Sequence, residues 1–373
     1  MSKQPAIPQT DPRASYLAQR PAIDRAVGRV LAGGHYILGS EVAAFEREFA
    51  SYLGAGFGIG VASGTDALVL ALKALDLRPG DFVATVSHTA VATVAAIELA
   101  GLKPLLLDIH PSYLTLDPAA LARALDNPPG RIAAVIPVHL YGQAADLPAI
   151  FELTQKRGIR VIEDCAQSHG ARLGGKRLGT FGDLACFSFY PTKNLGAFGD
   201  GGLVATSDAT WAERLRELRE YGWKLRYVSA MPGMNARLDE LQAAVLRVKL
   251  RRLDANNRRR QKIASLYDKG LRGIGLGLPQ RLKGATHVFH QYVVRTPRRD
   301  DLRAALARAG IATGIHYPVP VHLQPAYRGR VAIGPGGLPE TERAAREVLS
   351  LPIFPELKVR DAARVIAALK KLG

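Results

Sequence analysis

Between residues 58 and 163, short apolar segments alternate with segments of helical periodicity. The predicted strands are 58–62, 82–86, 104–107, 132–138 and 160–163, and the predicted helices between them are 65–75, 89–100, 118–125 and 147–157. The strand segments are almost continuously apolar, as expected for strands buried on both faces of a sheet. Because each strand is followed by a helix, the strands can pair in parallel through helical crossovers. The sequence therefore predicts an α/β fold with a mostly parallel sheet covered by helices on both faces.

The regular alternation occupies only the middle of the chain. Helical periodicity at 14–33 and 43–52 precedes it, and after about residue 245 the alternation weakens. The C-terminal part combines a long basic helix up to about Tyr267, a strand at 288–294 and helices at 300–309 and 361–372. A chain of 373 residues is long enough for two cores. We therefore predict a large domain over residues 1–245 and a smaller α+β domain over residues 246–373.

The bulk composition is ordinary except for a formal net charge of +17 at pH 7. A strongly basic chain can bind nucleic acid. Here the basic residues are spread along the chain, and the densest run, 251–260, lies on a predicted amphipathic helix, where it is typical of a solvated face. A positive surface also attracts an anionic substrate such as a nucleotide diphosphate. No helix-turn-helix or aromatic-basic RNA-binding pattern supports nucleic-acid binding, so we predict no nucleic-acid partner.

Membrane and secreted proteins are disfavoured. No apolar run reaches the roughly 20 residues that a helix needs to span a bilayer, and residues 1–13 are polar, without the apolar region of a secretory signal. The two cysteines, Cys165 and Cys186, give neither a disulfide framework nor zinc-ligand spacing. Both lie in apolar runs and are predicted to be buried free thiols. We expect a cytoplasmic protein without a membrane partner.

An acidic residue and a lysine are candidates for chemistry. Asp164 directly follows the apolar segment 159–162, and ligands of α/β sheets bind beyond the carboxyl ends of the strands. Lys193 lies in a loop with aromatic residues before it and glycines after it. Taken alone, Asp164 can be a turn or capping residue and Lys193 a surface lysine. Together they suit pyridoxal phosphate (PLP) chemistry, in which an amine forms a Schiff base with the cofactor aldehyde and a carboxylate keeps the pyridine nitrogen protonated.

A candidate phosphate site precedes this pair. The segment Ser63-Gly64-Thr65 is a small turn between a predicted strand and a predicted helix. Exposed N–H groups and the helix dipole attract anions at such a position, although Ser63 or Thr65 can equally be an ordinary N-cap. Ser188 can donate a hydroxyl to the same phosphate. The glycine run after Lys193 is not a Walker A loop, because no Gly-Lys-Ser/Thr follows it.

A set of short motifs occurs in a fixed order along the chain. They are Ser63-Gly64-Thr65-Asp66-Ala67, Val138-His139-Leu140-Tyr141-Gly142, Glu163-Asp164-Cys165-Ala166-Gln167-Ser168-His169-Gly170, Ser188 to Lys193, Gly199-Asp200-Gly201-Gly202, Asn235-Ala236-Arg237-Leu238-Asp239-Glu240 and His316-Tyr317-Pro318-Val319-Pro320-Val321-His322. From about Tyr36 to the C-terminus, the chain resembles the DegT/StrS family of PLP-dependent nucleotide-sugar aminotransferases. The resemblance implies the fold-type-I, aspartate aminotransferase-like architecture.

The resemblance also implies a role for each matching residue. Lys193 is the implied Schiff-base lysine and proton shuttle, and Asp164 pairs with the pyridinium nitrogen. Implied contacts to the cofactor come from Gly64, Thr65, Ser188 and Gln167, and from Asn235 acting on the neighbouring subunit's cofactor, so that a homodimer with shared active sites is expected. Implied substrate contacts are His316 and Tyr317, with Tyr36, Tyr190 and Tyr221 as further candidates. His316 and His322 can equally be ordinary loop residues.

One position departs from the family pattern. Ala90 stands where family members usually carry an aromatic residue that stacks on the cofactor ring. We therefore name His88 as the ring contact, with smaller atoms covering the ring as the alternative. A lost stack removes roughly 0.5–1.5 kcal/mol, which the phosphate and Schiff-base anchors can tolerate. His287 and His290 lie on a predicted strand and are interpreted as structural, and no metal site is predicted.

The resemblance implies a transaminase with ping-pong kinetics, in which L-glutamate converts PLP to pyridoxamine phosphate and the amine passes to a ketone of a nucleotide-linked hexose. A sister branch that deoxygenates sugars has a histidine at the lysine position, and Lys193 argues against that branch. The motifs around Lys193 and His316 are more like members that aminate C3 of dTDP-linked 3-keto-6-deoxyhexoses for lipopolysaccharide or other glycans. UDP-linked 3-keto N-acetylhexosamines and 4-keto nucleotide sugars are the alternatives.

Two functions of other kinds stay open at this point. A non-catalytic regulatory DNA-binding protein is supported by the net charge alone, and it predicts salt-dependent DNA binding that does not need Lys193. A PLP enzyme acting on free amino acids is compatible with the general cofactor residues, with Arg237 as a candidate for binding a second substrate carboxylate.

Overall fold

The predicted alternation of strands and helices is present in the structure, a computed structural model that describes residues 6–372. The strands are β1 (Phe57–Val61), β2 (Phe82–Val86), β3 (Lys103–Leu107), β4 (Ile132–Val135), β5 (Arg160–Asp164), β6 (Arg172–Leu173), β7 (Lys176–Arg177), β8 (Leu184–Ser188), β9 (Gly202–Thr206), β10 (Trp223–Leu225), β11 (Val228–Ser229), β12 (Tyr292–Arg295), β13 (Ala332–Ile333) and β14 (Val348–Leu351). The α-helices are α1 (Pro12–Leu17), α2 (Arg20–Gly33), α3 (Ser40–Leu53), α4 (Gly64–Ala74), α5 (Val91–Leu99), α6 (Pro118–Asp126), α7 (Leu147–Thr154), α8 (Ala209–Leu218), α9 (Glu240–Leu250), α10 (Leu253–Gly270), α11 (Arg299–Arg308), α12 (Pro339–Glu347) and α13 (Val359–Lys370). Short 3-10 turns occupy Leu140–Gly142, Gln155–Arg157 and Val321–Leu323.

The main sheet has the strand order β1-β9-β8-β5-β4-β2-β3-β13. Strands β8, β5, β4, β2, β3 and β13 pair in parallel, whereas β9 runs antiparallel to both of its neighbours, β1 and β8. The prediction of a mostly parallel α/β sheet is therefore confirmed. Because β9 alone reverses direction, the carboxyl ends of β1, β2, β4, β5 and β8 all lie at the same edge of the sheet.

Helices cover both faces of this sheet, and alternate residues of one strand show it. Ala185 and Phe187 of β8 pack into the core formed with α3 and α9, while Leu184 and Cys186 pack into the core formed with α4 and α8. On the first face, Phe187 and Phe189 contact Phe49 edge to face at ring separations of 5.0 and 5.5 Å. Such pairs add to the stabilisation from burial. Cys165 and Cys186 are buried free thiols, as predicted.

The C-terminal part has a core of its own. Strands β12 and β14 pair antiparallel, and helices α10, α11 and α13 pack with them around Tyr267, Tyr292 and Leu306. The N-terminal residue Ile7 joins this core and forms a parallel bridge with Ile311. The C-terminal part therefore has its own core, and the boundary at residue 245, which falls within α9, stays a proposal.

Some local predictions differ from the structure for identifiable reasons. The helix expected over 14–33 is divided at Gln19, the N-cap residue of a second helix that has a proline in its first turn. The strand expected at 288–294 begins later, at Tyr292, because the N–H of Val288 bonds the carbonyl of Gly142 instead of a strand. In the basic run, Arg260 is buried and donates to two backbone carbonyls, whereas its neighbours Arg258 and Arg259 are exposed. Within residues 6–372, no helix combines the length and the apolar character needed to cross a bilayer.

Candidate active site

A cavity of about 390 Å³ opens where the carboxyl ends of the parallel strands meet. The residues named from the sequence that line it are Gly64, Thr65, Asp164, Gln167, Ser188, Tyr190, Lys193, His316 and Tyr317. They come from widely separated parts of the chain, and the shared edge of the sheet brings most of them together. His316 and Tyr317 reach the cavity from a loop of the C-terminal part.

Lys193 lies in a tight loop between β8 and β9. Its backbone N–H donates to the carbonyl of Tyr190 at 2.9 Å, and the loop closes so tightly that a Cβ at Gly196 would lie 2.4 Å from the carbonyl oxygen of Pro191. Two helices hold the loop from behind. The ammonium group of Lys249 on α9 donates to the carbonyl of Gly196, and the Asn194 amide donates to Asn257 on α10 at 2.9 Å. The glycine and the two anchors fix where Lys193 can point.

The electrostatics of Lys193 favour a reactive amine. Removal of water around the side chain lowers the pKa of Lys193 to about 8, although the nearby carboxylate of Asp164 acts in the opposite direction. An ordinary lysine has a pKa of about 10.4. The uncharged, nucleophilic form of Lys193 is therefore far more populated at neutral pH than that of a surface lysine.

Asp164 is the last residue of β5 and is buried. One carboxylate oxygen accepts a hydrogen bond from the hydroxyl of Thr93 at 3.0 Å, and the other accepts from the N–H of Ala166 at 3.1 Å. Burial raises the pKa of Asp164, and these two bonds together with the charge of Lys193 oppose the rise. Both oxygens are thus held in place, and each keeps a lone pair for a further donor.

The turn after β1 has the form expected of an anion site. Ser63 caps α4, since its hydroxyl oxygen accepts from the N–H of Asp66 at 3.1 Å, so the ordinary capping role is present. The other first-turn N–H groups of a helix lack intrahelical acceptors and can bind an anion. At Gly64, an added Cβ would lie 2.6 Å from Cβ of Ser188. Glycine is therefore required for the end of β8 to approach this turn.

Gln167 joins the two sides of the cavity. Its side-chain oxygen accepts from the N–H of Tyr141 at 2.7 Å, and its amide nitrogen donates to the hydroxyl of Tyr317 at 3.0 Å. On the same loop, Nδ1 of His316 is 2.8 Å from the hydroxyl of Ser350. Burial and the charge of Lys193 lower the pKa of His316 to about 4, so this imidazole is neutral at physiological pH.

His88 does not line the cavity. Its ring is completely buried behind the cavity wall, and Nε2 lies 2.8 Å from the hydroxyl of Tyr141. A fully buried ring engaged with another side chain has no free face for a cofactor, so the structure does not give His88 the role of a ring contact. The small residues Thr89, Ala90, Ala92 and Thr93 line this part of the cavity, which agrees with the alternative that smaller atoms cover the ring.

Three other named residues lie outside this cavity. Asn235, Tyr36 and Tyr221 are exposed on the surface of the chain. The contact of Asn235 with the neighbouring subunit's cofactor and the substrate contacts of Tyr36 and Tyr221 stay predictions.

Several cavity residues were not singled out from the sequence. Thr93, which bonds Asp164, lies three residues after Ala90, the position of the missing aromatic residue, and its hydroxyl gave no pattern of its own. His290 and Gln291 line the cavity, whereas His290 was interpreted as structural. The sequence places these two polar side chains directly before the apolar strand β12, and this position alone is only a weak indication of a site.

A buried group of possible metal ligands, His139, Glu163 and Cys165, lies next to the cavity wall. The Glu163 carboxylate accepts from the backbone N–H groups of Gly179, Phe181 and Gly182 and lies 3.1 Å from Nε2 of His139. Burial acts to raise the pKa of Glu163, but these bonds prevail and lower it. Four partners account for the buried charge and make Glu163 an anchor of the loop after β7.

The cavity residues fit PLP. The cofactor requires a nucleophilic amine, a carboxylate facing its ring nitrogen and donors for its phosphate. Lys193 has a lowered pKa, Asp164 is a buried carboxylate with both oxygens oriented, and the start of α4 meets Ser188 at a position where only glycine fits. All three observations concern the chain's own residues.

Comparison with known proteins supports the same interpretation. The sequence model of the DegT/DnrJ/EryC1/StrS aminotransferase family matches residues 18–370. The dTDP-3-amino-3,4,6-trideoxy-alpha-D-glucose transaminase of Streptomyces venezuelae is 48% identical over 368 residues, covering 98% of this chain and 96% of that protein. The UDP-N-acetyl-3-dehydro-alpha-D-glucosamine 3-aminotransferase of Acidithiobacillus ferrooxidans is 42% identical, covering 100% and 99%. A crystal structure of S. venezuelae DesV in complex with a ketimine intermediate superposes with a TM-score of 0.95 at 47% identity, covering 99% of each chain.

Proposed function

The chain belongs to the DegT/DnrJ/EryC1/StrS aminotransferase family and is a PLP-dependent aminotransferase, and on this premise we propose that it transfers an amino group from L-glutamate to C3 of a nucleotide-linked keto sugar. The names of both relatives place the amino group at C3 of the sugar. The S. venezuelae relative is named for a dTDP-linked deoxysugar. We therefore take a dTDP-3-keto-6-deoxyhexose as the first candidate substrate and a UDP-linked 3-keto N-acetylhexosamine as the second, in glycan or lipopolysaccharide sugar biosynthesis.

The observation that carries this proposal is the meeting of Lys193 and Asp164 in one cavity beside the N-terminus of α4. An activated amine, an oriented carboxylate and an anion site are the three groups that amino transfer with PLP requires of a protein. Tyr190, His316 and Tyr317 also line this cavity, and we assign them to the nucleotide sugar.

Each of the cavity residues has a separate role in amino transfer. Bound PLP supplies an aldehyde and an electron-accepting ring. Lys193, uncharged at neutral pH more often than a surface lysine, removes the proton from Cα of the amino donor and returns one when the amine reaches the sugar. Asp164 holds a proton at the ring nitrogen, Gln167 donates to the ring hydroxyl, and the start of α4 with Ser188 binds the phosphate.

We assign the active form to a homodimer with shared sites. Asn235 and Tyr221 are exposed, and beside them the β10–β11 hairpin carries Leu225 and Tyr227, which are 70% and 73% exposed. Large apolar side chains concentrated on one hairpin are typical of an interaction surface. A second copy covering this hairpin removes them from water and brings Asn235 towards the neighbouring cofactor phosphate.

The choice of an anionic donor and acceptor is consistent with the charge of the chain. The net charge of +17 attracts both a dicarboxylate and a nucleotide diphosphate. Lys193 is the one Lys or Arg among the described residues that line the cavity. We therefore expect the second copy to supply the further cations that bind the glutamate carboxylates. The cytoplasmic location stays a prediction.

An absorbance spectrum of the purified protein with PLP, recorded before and after L-glutamate, tests this function. We expect a visible band that disappears with glutamate and returns on addition of the 3-keto nucleotide sugar, with the 4-keto sugar as a comparison. The variant Lys193→Ala should show neither change, because it lacks the amine. Intact transamination by Lys193→Ala contradicts the assigned role of the lysine, and a band restored only by the 4-keto sugar contradicts C3 transfer.

A further inference from the structure

Tyr141 belongs to the motif Val138–Gly142, which so far has no assigned role. The residue is buried and does not line the cavity, and its backbone has φ = +60°, in the left-handed region that non-glycine residues seldom adopt. Each of its polar groups contacts a different part of the site. The N–H bonds Gln167, the carbonyl accepts from the N–H of Gln291 at 3.2 Å, and the hydroxyl lies between His88 and His316.

The backbone of Tyr141 determines how the Gln167 amide is oriented. A backbone N–H can only donate, so the Gln167 atom that it contacts at 2.7 Å must be the oxygen. The NH₂ group of Gln167 then points at Tyr317 and donates to its hydroxyl. Because the Tyr317 oxygen accepts this bond, its own proton is available for an acceptor in the cavity. Burial raises the pKa of Tyr317 to about 12, which keeps that proton in place.

The hydroxyl of Tyr141 determines the position of His316, the residue before Tyr317. It donates its single proton to the carbonyl oxygen of His316, so it must accept a hydrogen bond from Nε2 of His88. His88 is therefore the tautomer with the proton on Nε2. Burial lowers the pKa of His88 to about 4, so the ring stays neutral. His88 thus supports Tyr141, which explains a buried histidine next to the cavity.

We propose that Tyr141 is a positioning residue that sets the substrate-side dipeptide His316–Tyr317 against the cofactor-side Gln167, so that the hydroxyl of Tyr317 donates a hydrogen bond to the nucleotide sugar. This role rests on the proposed function and adds to it, because Tyr141 acts through two separate contacts. The backbone of Tyr141 acts on Gln167, and the phenol acts on His316. Removing the hydroxyl alone leaves the contact between the backbone of Tyr141 and Gln167 intact.

The variant Tyr141→Phe tests this inference, because it removes the hydroxyl and keeps the ring and the backbone. We expect the KM for the sugar acceptor to rise about tenfold, as is typical when a buried bond is lost and its partners are left unpaired. The glutamate half-reaction should stay within about twofold of the wild-type rate, since the Gln167 contact survives. Hydrogen exchange of the backbone amides at 313–320 should become faster, because the loop loses its anchor.

A matched control separates positioning from general destabilisation. Tyr267 is also buried, and its hydroxyl donates to the carbonyl of Pro352 at 2.8 Å in the C-terminal core. Tyr267→Phe should lower stability by a similar amount without changing either half-reaction or the exchange at 313–320. If Tyr141→Phe does not fold, His88→Ala is the second variant, and it should give a smaller split of the same kind, about threefold in the acceptor KM.

The outcomes distinguish this inference from the proposed function. Equal losses in both half-reactions of Tyr141→Phe, or no change in either, overturn the positioning role. If the wild-type protein aminates no nucleotide sugar, the proposed function has failed, and hydrogen exchange decides the inference alone. Exchange at 313–320 that is equally slow in wild type, Tyr141→Phe and Tyr267→Phe then overturns it.

Discussion

Asp164 shows how a single buried charge depends on its neighbours. Its carboxylate loses water on burial, which raises the pKa, and the chain compensates with the Thr93 hydroxyl and the Ala166 N–H. The proton of Thr93 goes to Asp164, so the contact of 3.1 Å between Thr89 and Thr93 must run from Thr89 to Thr93. Two hydroxyls in series therefore point towards the carboxylate and stabilise its charged form.

Replacing Thr93 with Val should remove this support while keeping the shape of the side chain. Loss of a hydrogen bond to a charged group costs about 1.5–3 kcal/mol, so we expect the glutamate half-reaction to slow by at least about tenfold at neutral pH. The pKa of Asp164 rises further when a donor to its charged form is lost, so activity should disappear at a higher pH than in the wild type as the pH falls. The measurement is the pH profile of the half-reaction.

Two companion variants complete this experiment. Thr93→Ser restores a hydroxyl and should recover most of the rate. Thr85→Val removes a buried hydroxyl that donates to the carbonyl of Ile136 inside the sheet, away from Asp164, and should leave the acid side of the profile unchanged. An unshifted profile in Thr93→Val contradicts the assigned role.

Sequence reasoning identified residues best where chemistry requires a rare type at a definite place. Lys193 and Asp164 were named from the chemistry, Gly64 from its turn and Gln167 from the family resemblance, and the structure places all four around one cavity. The fate of His88 could not be predicted, because it depends on Tyr141 reaching it from another segment of the chain. Thr93 was missed for the same reason, since a threonine on a helix carries no pattern that indicates its partner.

At the scale of elements, a side chain from one helix caps the N-terminus of another helix that has no cap of its own. Helix α3 begins after Gly39, which has no side chain to accept from the first-turn N–H groups. Glu240, the first residue of α9, accepts from the N–H groups of Gly39, Glu41 and Val42 at 2.7–3.0 Å. A buried carboxylate at the start of one helix thus caps another helix about 200 residues away and holds the two together.

Glu240→Gln should weaken this contact, because an amide presents an NH₂ group where an acceptor is needed. We expect the free energy of unfolding to fall by about 2 kcal/mol, since at least one buried N–H is left unpaired. Denaturant unfolding followed by circular dichroism measures the change. The exposed residue Glu213 on α8 gives the control Glu213→Gln, which should stay within about 0.5 kcal/mol. Equal stabilities for the two variants contradict the capping role.

Elements were predicted well where local periodicity and burial agree. The strands and helices from 57 to 164 fall within a few residues of their predicted bounds. Strands β8 and β9 were not predicted, because their residues lie among the motif glycines and aromatic residues around Lys193. Their pairing with each other and with β1 is a contact between distant segments, and periodicity within one segment contains no information about it.

At the scale of the whole molecule, the proposed homodimer completes each site with a residue from the neighbouring chain. Lys193 lines the cavity of its own chain, whereas Asn235 lies on the exposed surface. If Asn235 serves the second copy, each site of the dimer takes its lysine from one chain and its asparagine from the other. A dimer that combines a Lys193→Ala chain with an Asn235→Ala chain then has one complete site and one site lacking both residues.

Co-expression of these two variants should therefore restore activity that neither shows alone. Random pairing makes about half of the dimers mixed, and each mixed dimer has one of two sites complete, so we expect about a quarter of wild-type activity. The comparison uses the two variants purified separately and the unfractionated co-expressed mixture, and mixed dimers isolated through a different tag on each chain should show about half of wild-type activity. If Asn235 serves its own chain, every site lacks one of the two residues and no activity returns. Recovery in the mixed dimer thus assigns Asn235 to the neighbouring site, and its absence removes the shared site from the proposed function.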